Sequence, residues 1–132
     1  MAIRPVHIQT ALEGLPVLDG RSETTEAQAG EAFATLAQFG NGGLFAGSFS
    51  GQSPWERHRN GDELVQVIAG STTLTVMEES GPTSFEMSAG MVVVVPQGLW
   101  HRFNAPDGVT VMTATPQPTD HTFADDPRSR PG

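Results

Sequence analysis

Residues 90–104 read GMVVVVPQGLWHRFN: an apolar run, a proline, a glycine turn, then a histidine beside aromatic residues. Val92–Val95 are apolar at consecutive positions, the pattern of a strand covered on both faces, as at the centre of a two-sheet stack. The run ends at Pro96, Gly98 opens a turn, and a new strand starts at His101. In an extended chain residues two apart share a face, so His101 and Phe103 point the same way. Phe103 is a core residue type, which directs His101 inward, where an imidazole needs a partner.

The chain on either side has the same character. Further strand-like runs are FATLAQF (33–39), LFAGSFS (44–50), ELVQVIA (63–69), STTLTVME (71–78), TSFEMS (83–88), HRFNA (101–105) and VTVMTAT (109–115). Between them lie turn residues: Gly40-Asn41-Gly42-Gly43, Asn60-Gly61-Asp62, Ser80-Gly81-Pro82, Ala89-Gly90 and Pro106-Asp107-Gly108. Asn-Gly between two β-rich runs is a hairpin signal. Short strands at this spacing in a chain of 132 residues predict one all-β domain, a sandwich or a barrel. Thr24–Glu31 has a capping-box pattern, Thr25 with Gln28, and predicts a short helix. The division expected is an N-terminal arm over 1–32, the β domain over 33–115, and an irregular Pro-rich surface tail over 116–132.

The partner for His101 is sought upstream, in PWERHRNGDE, residues 54–63. Alternation puts Glu56 and His58 on one side of this stretch and Arg57 and Arg59 on the other. Asn60-Gly61 bends the chain back, and Glu63 begins the next strand. That arrangement can bring three ligand atoms within about 3 Å of one point, as a first-row metal requires. Read alone, the stretch is more often a solvated turn that happens to hold a histidine. Asp62, beside Glu63, is an alternative oxygen ligand.

Taken together, the two stretches resemble the paired motifs of the cupins, small double-stranded β-helix (jelly-roll) proteins: G-x5-H-x-H-x(3–4)-E-x6-G and G-x5-P-x-G-x2-H-x3-N. Gly90, Pro96, Gly98 and His101 follow the second motif, and His58, Glu63 and Gly70 follow the first from its second histidine onward. Glu56 stands where the family has its first histidine; Gly51 falls one residue late and Asn104 one early. The resemblance implies an antiparallel jelly-roll barrel in which His58, Glu63 and His101 hold a divalent metal ion. Glu56 then either ligates through oxygen or stands in the cavity as a catalytic acid/base. Three histidines and one carboxylate around a divalent ion carry net +1, whereas two histidines and two carboxylates carry none. The harder oxygen donors favour Fe, Mn or Zn over copper, and two histidines with one carboxylate are the ligand set of many non-haem iron oxygenases.

Composition narrows the chemistry. The chain has no Cys and no Tyr, and all seven of its basic residues are Arg. Thiolates, disulfides, phenolic acids and lysine Schiff bases are therefore excluded. The formal charge of −8 argues against nucleic acid and anionic membranes as partners. With no membrane-span or signal pattern, a cytoplasmic location is expected. Arg57, Arg59 and Arg102 should face away from the cavity as surface charges or ion-pair partners. His7 and His121, in irregular termini, read as solvent-exposed, and Trp55 and Trp100 as packing between sheets or at a subunit interface. The expected function is a small metal-dependent enzyme, of oxygenase or isomerase type, acting on a small polar molecule. The rival is a non-catalytic module that binds or senses a small ligand, metal-free or with a structural ion. Cupins commonly pair through edge strands, so a homodimer is expected.

Overall fold

The computed structural model describes residues 3–20 and 32–129; the helix expected over Thr24–Glu31 lies outside them. A short helix α1 (Ile8–Leu12) opens the chain, and the Nδ1 of exposed His7 caps it by accepting from the Thr10 backbone N–H. Nine strands follow: β1 (Leu18–Gly20), β2 (Phe33–Phe39), β3 (Gly42–Gln52), β4 (Trp55–His58), β5 (Glu63–Glu78), β6 (Gly81–Ser88), β7 (Val92–Val95), β8 (His101–Pro116) and β9 (Thr119–Thr122). All their pairings are antiparallel except that of β1 with β3.

Two pairs of short strands expected from the sequence are single long strands. β5 runs through Gly70, and β8 runs through Pro106-Asp107-Gly108. Both bend rather than turn, so the ladder between them continues with shifts of register between Val67 and Ala69 and between Gly70 and Thr73. Gly70 (φ 78°) makes the bend possible, since a Cβ there would lie 2.4 Å from the Gly108 carbonyl oxygen. Each long strand serves both walls of a jelly roll. The first half of β5 lies between β7 and the second half of β8, which pairs onward to β3. The second half of β5 lies between β6 and the first half of β8, beside which β4 and β9 run.

The core is what period-two alternation supplies to the inner face. Val65, Val67, Leu74 and Val76 of β5 meet Phe103, Ala105, Val109 and Val111 of β8, with Phe49, Met87 and Val95. The expectation for Val92–Val95 is corrected. Val92 and Val94 are 58% and 53% exposed while Val95 is buried. β7 pairs with β5 alone among the described strands, so it is a terminal strand covered on one face.

The tail differs too. Thr119–Thr122 form β9 against β4, in register Trp55↔Thr122 to His58↔Thr119, where the sequence suggested irregular chain. Four residues between prolines give no periodicity to read; the strand forms because β4 offers it an edge. Among the described residues no helix is long and apolar enough to cross a membrane.

Candidate metal centre

Three strand ends converge inside the barrel. His58 ends β4, Glu63 begins β5 after the Asn60-Gly61 turn, and His101 begins β8 after the Pro96–Gly98 turn. The two turns are stitched together: the Gly98 N–H donates to the His58 carbonyl at 2.9 Å, and the Gln97 N–H donates to Asp62 Oδ1 at 2.8 Å. Asp62 is thus a turn residue and stands outside the ligand cluster. Alternation along β5 puts Glu63 on the same inner face as Val65 and Val67, so the carboxylate is carried into the core.

His58, Glu63 and His101 are 2%, 5% and 0% exposed. His101 Nε2 donates to Glu63 Oε1 at 2.9 Å, and His101 Nδ1 lies 3.0 Å from the Leu99 carbonyl. The second carboxylate oxygen, Oε2, accepts from Thr115 Oγ1 at 2.6 Å, and Thr113 Oγ1 lies 2.7 Å behind it. With the Thr115 proton committed to Glu63, Thr113 is the donor of that last bond. Burial by itself would raise the pKa of Glu63; the hydrogen bond from His101, with the closeness and charge of both histidines, overcomes it and holds the group down at about 2. Burial would likewise depress His101, but its bond to Glu63 and the charges of Glu63 and Glu56 raise it.

His58 is placed differently. Its Nδ1 meets Thr119 Oγ1 at 3.0 Å, while its Nε2 sits 3.3 Å from Glu63 Oε1 and makes no hydrogen bond. A buried ring nitrogen left without a bond is costly, and a lone pair in that position is what a metal ion takes up. The donor set fits one: ligand atoms of the three residues all lie within 4.8 Å of one another. Bonds of about 2.1 Å set neighbouring donors about 3.0 to 3.4 Å apart, which matches the 2.9 and 3.3 Å separations from Glu63 Oε1 to the two histidines.

Glu56 stands apart from that cluster. Its backbone is in register with His101 on one side and His121 on the other, and His121 Nε2 lies 3.9 Å from Glu56 Oε2. Its side chain keeps 27% of its surface exposed, at the edge of the cavity. The surrounding walls still desolvate the carboxylate and, with the Glu63 charge, raise its pKa against the pull of His101, His121 and His58.

The opposite face of the same strands is built as alternation requires. Arg57 and Arg59 both donate to Asp120. The Arg57 guanidinium lies 4.4 Å over the Trp100 ring, and that of Arg102 4.4 Å over Trp55. Both tryptophans are buried, packed with Met77. These three arginines therefore serve the outer surface.

Reading the sequence missed Thr113, Thr115, Thr119 and the placing of His121. Thr113 and Thr115 carry a usable signal, since they continue the inward series Val109, Val111 with polar residues. Thr119 and His121 carry none, because their partners lie on a strand some 60 residues earlier.

Comparison with known proteins identifies the family and the fold. Residues 49–115, just over half of the chain, match the cupin domain family. The protein is a cupin. Among curated proteins none matches it in sequence. A cupin-2 domain protein from Shewanella frigidimarina superimposes with a TM-score of 0.54 at 15% identity, over 76% of this cupin and 96% of that chain. A hydroquinone 1,2-dioxygenase in complex with Cd2+ and 4-hydroxybenzonitrile gives 0.54 at 16% identity, over 64% of this chain and 63% of its own. Oxalate decarboxylase from Bacillus subtilis, a protein with Mn(II) centres, gives 0.53 at 15% identity. That match covers 68% of this cupin and 24% of the decarboxylase, so this chain spans a quarter of that enzyme's length. At these identities the likeness is one of fold.

Proposed function

We propose that this cupin is a metal-dependent enzyme acting on a small molecule with oxygen donors, of oxygenase or isomerase type. The observation that carries the reading is the buried trio His58, Glu63 and His101, in which His58 Nε2 has no hydrogen-bond partner. These three residues would hold a divalent ion of Fe, Mn or Zn. Two imidazoles and one carboxylate leave coordination positions open and suit an oxygen-binding ion better than copper. Such an ion supplies Lewis-acid chemistry and, if iron or manganese, one-electron chemistry. That two fold relatives are a dioxygenase complexed with Cd2+ and a decarboxylase with Mn(II) centres supports a metal in this barrel.

The remaining work falls to side chains of the chain itself. Thr115 holds one Glu63 oxygen, which leaves the other directed at the two histidines. Leu99 fixes the ring of His101. Glu56, partly open at the cavity edge and outside the trio, is the group available to take or give a proton at Oε2. Val65 and Val67, on the same face of β5 as Glu63, continue that face as buried apolar core with Val111.

The test is ligand exchange. Protein loaded with Mn(II) is titrated with a dicarboxylate such as oxalate and with a hydroquinone, and its electron paramagnetic resonance spectrum is followed. A saturable change in the spectrum, absent from His101→Ala, is the expected result. If the loaded protein responds to no small oxygen donor, the open positions do not exist, and a structural ion in a non-catalytic module becomes the better reading.

A further inference from the structure

The tail strand β9 lies beyond the segment that matches the family, yet it reaches the trio. Each of the three candidate ligands has its far atom held by a hydrogen bond. Glu63 Oε2 is held by Thr115, and His101 Nδ1 by the Leu99 carbonyl, both within residues 49–115. The partner of His58 Nδ1 is Thr119, four residues past that segment. We infer that Thr119 is a positioning residue of the metal centre, and that the tail is thereby part of the site.

The geometry gives the reason. Alternation along β9 turns Thr119 and His121 toward the cavity, opposite His58 and Glu56, while Asp120 turns outward to Arg57 and Arg59. Further bonds hold the strand in place: Asn60 Nδ2 donates to the Gln117 carbonyl at 2.9 Å, and the Gln117 N–H to the Asn41 carbonyl at 3.2 Å. Thr119 Oγ1 is thus brought 3.0 Å from His58 Nδ1 on a fixed backbone. Accepting there places the imidazole proton on Nδ1 and leaves the Nε2 lone pair bare beside Glu63. That is the tautomer a ligand through Nε2 must have, and a partner on the other ring nitrogen is what fixes it. This inference rests on the metal-centre reading, but its first consequence, the tautomer, concerns the metal-free protein.

The experiment compares wild type with Thr119→Val, Thr119→Ala and Thr119→Ser. Two-bond 15N–1H spectra of the metal-free proteins, assigned with a His58→Gln control, report the tautomer. Competition with a chromophoric chelator reports affinity for Mn(II) and Zn(II), and circular dichroism confirms that each variant is folded. Wild type and Thr119→Ser should carry the His58 proton on Nδ1, and Thr119→Val and Thr119→Ala should move it wholly or partly to Nε2. Metal affinity should fall about 10- to 100-fold in the last two, the usual effect of removing such a partner, and be restored to within a few-fold by serine. A wild-type His58 protonated on Nε2 overturns the inference, as does an unchanged tautomer and affinity in the hydroxyl-free variants. If wild type takes up neither ion but the tautomer still follows the hydroxyl, Thr119 orients the His58 ring and the metal reading falls, and with it the role of Thr119 in a metal centre.

Discussion

At the scale of single residues, the centre is decided by which polar atoms are buried and what meets them. Glu63 is 5% exposed and survives there as a carboxylate only because both oxygens are bonded. Thr115→Val leaves Oε2 unpaired with almost no change of volume. It should therefore destabilise the metal-free protein by about 1–3 kcal/mol, the cost of a buried unsatisfied group, read from urea unfolding; an unchanged midpoint would mean that water or another group replaces the hydroxyl. The sequence displays the three central residues because each stands at an inward position next to a turn. It does not display their supports, since a threonine hydroxyl leaves no trace of a partner 52 or 61 residues away.

At the scale of elements, the bend and the tail matter most. The sequence shows Gly70 as a break between two strands; the structure uses it to carry one strand across both walls. Gly70→Ala brings a Cβ to 2.4 Å from the Gly108 carbonyl oxygen at a φ of 78°. A loss of about 1–3 kcal/mol or more is expected, visible as a lowered thermal midpoint. Asp120 anchors β9. Burial would raise its pKa, but hydrogen bonds and charge from Arg59 and Arg57 lower it below its ordinary 3.8. A carboxylate depressed in the folded state contributes stability above its unfolded pKa and loses it as pH falls through the folded value. Wild type should accordingly lose stability below about pH 4 along a limb that Asp120→Asn lacks. Parallel acid profiles of the two proteins would contradict the anchoring role.

At the scale of the whole molecule, an all-β barrel was legible because hairpin signals, period-two runs and two spaced motifs agree. What sequence could not show is which strand ends the sheet: four consecutive valines read the same at its centre and at its margin. β7 leaves Val92 and Val94 more than half exposed, with one backbone edge unpaired by any described strand. Such an edge favours pairing with another chain, and this supports the proposed homodimer. Sedimentation should give a dimer for wild type and a monomer for Val94→Lys; a monomeric wild type would remove that proposal. The central claim is that His58, Glu63 and His101 hold one divalent ion, and elemental analysis tests it most directly. Protein purified without a histidine tag or added metal, then reloaded with iron, manganese or zinc and desalted, should retain close to one ion per chain, and His101→Ala should retain almost none. A native protein that holds no ion after reloading, or a His101→Ala variant that holds as much, would contradict it.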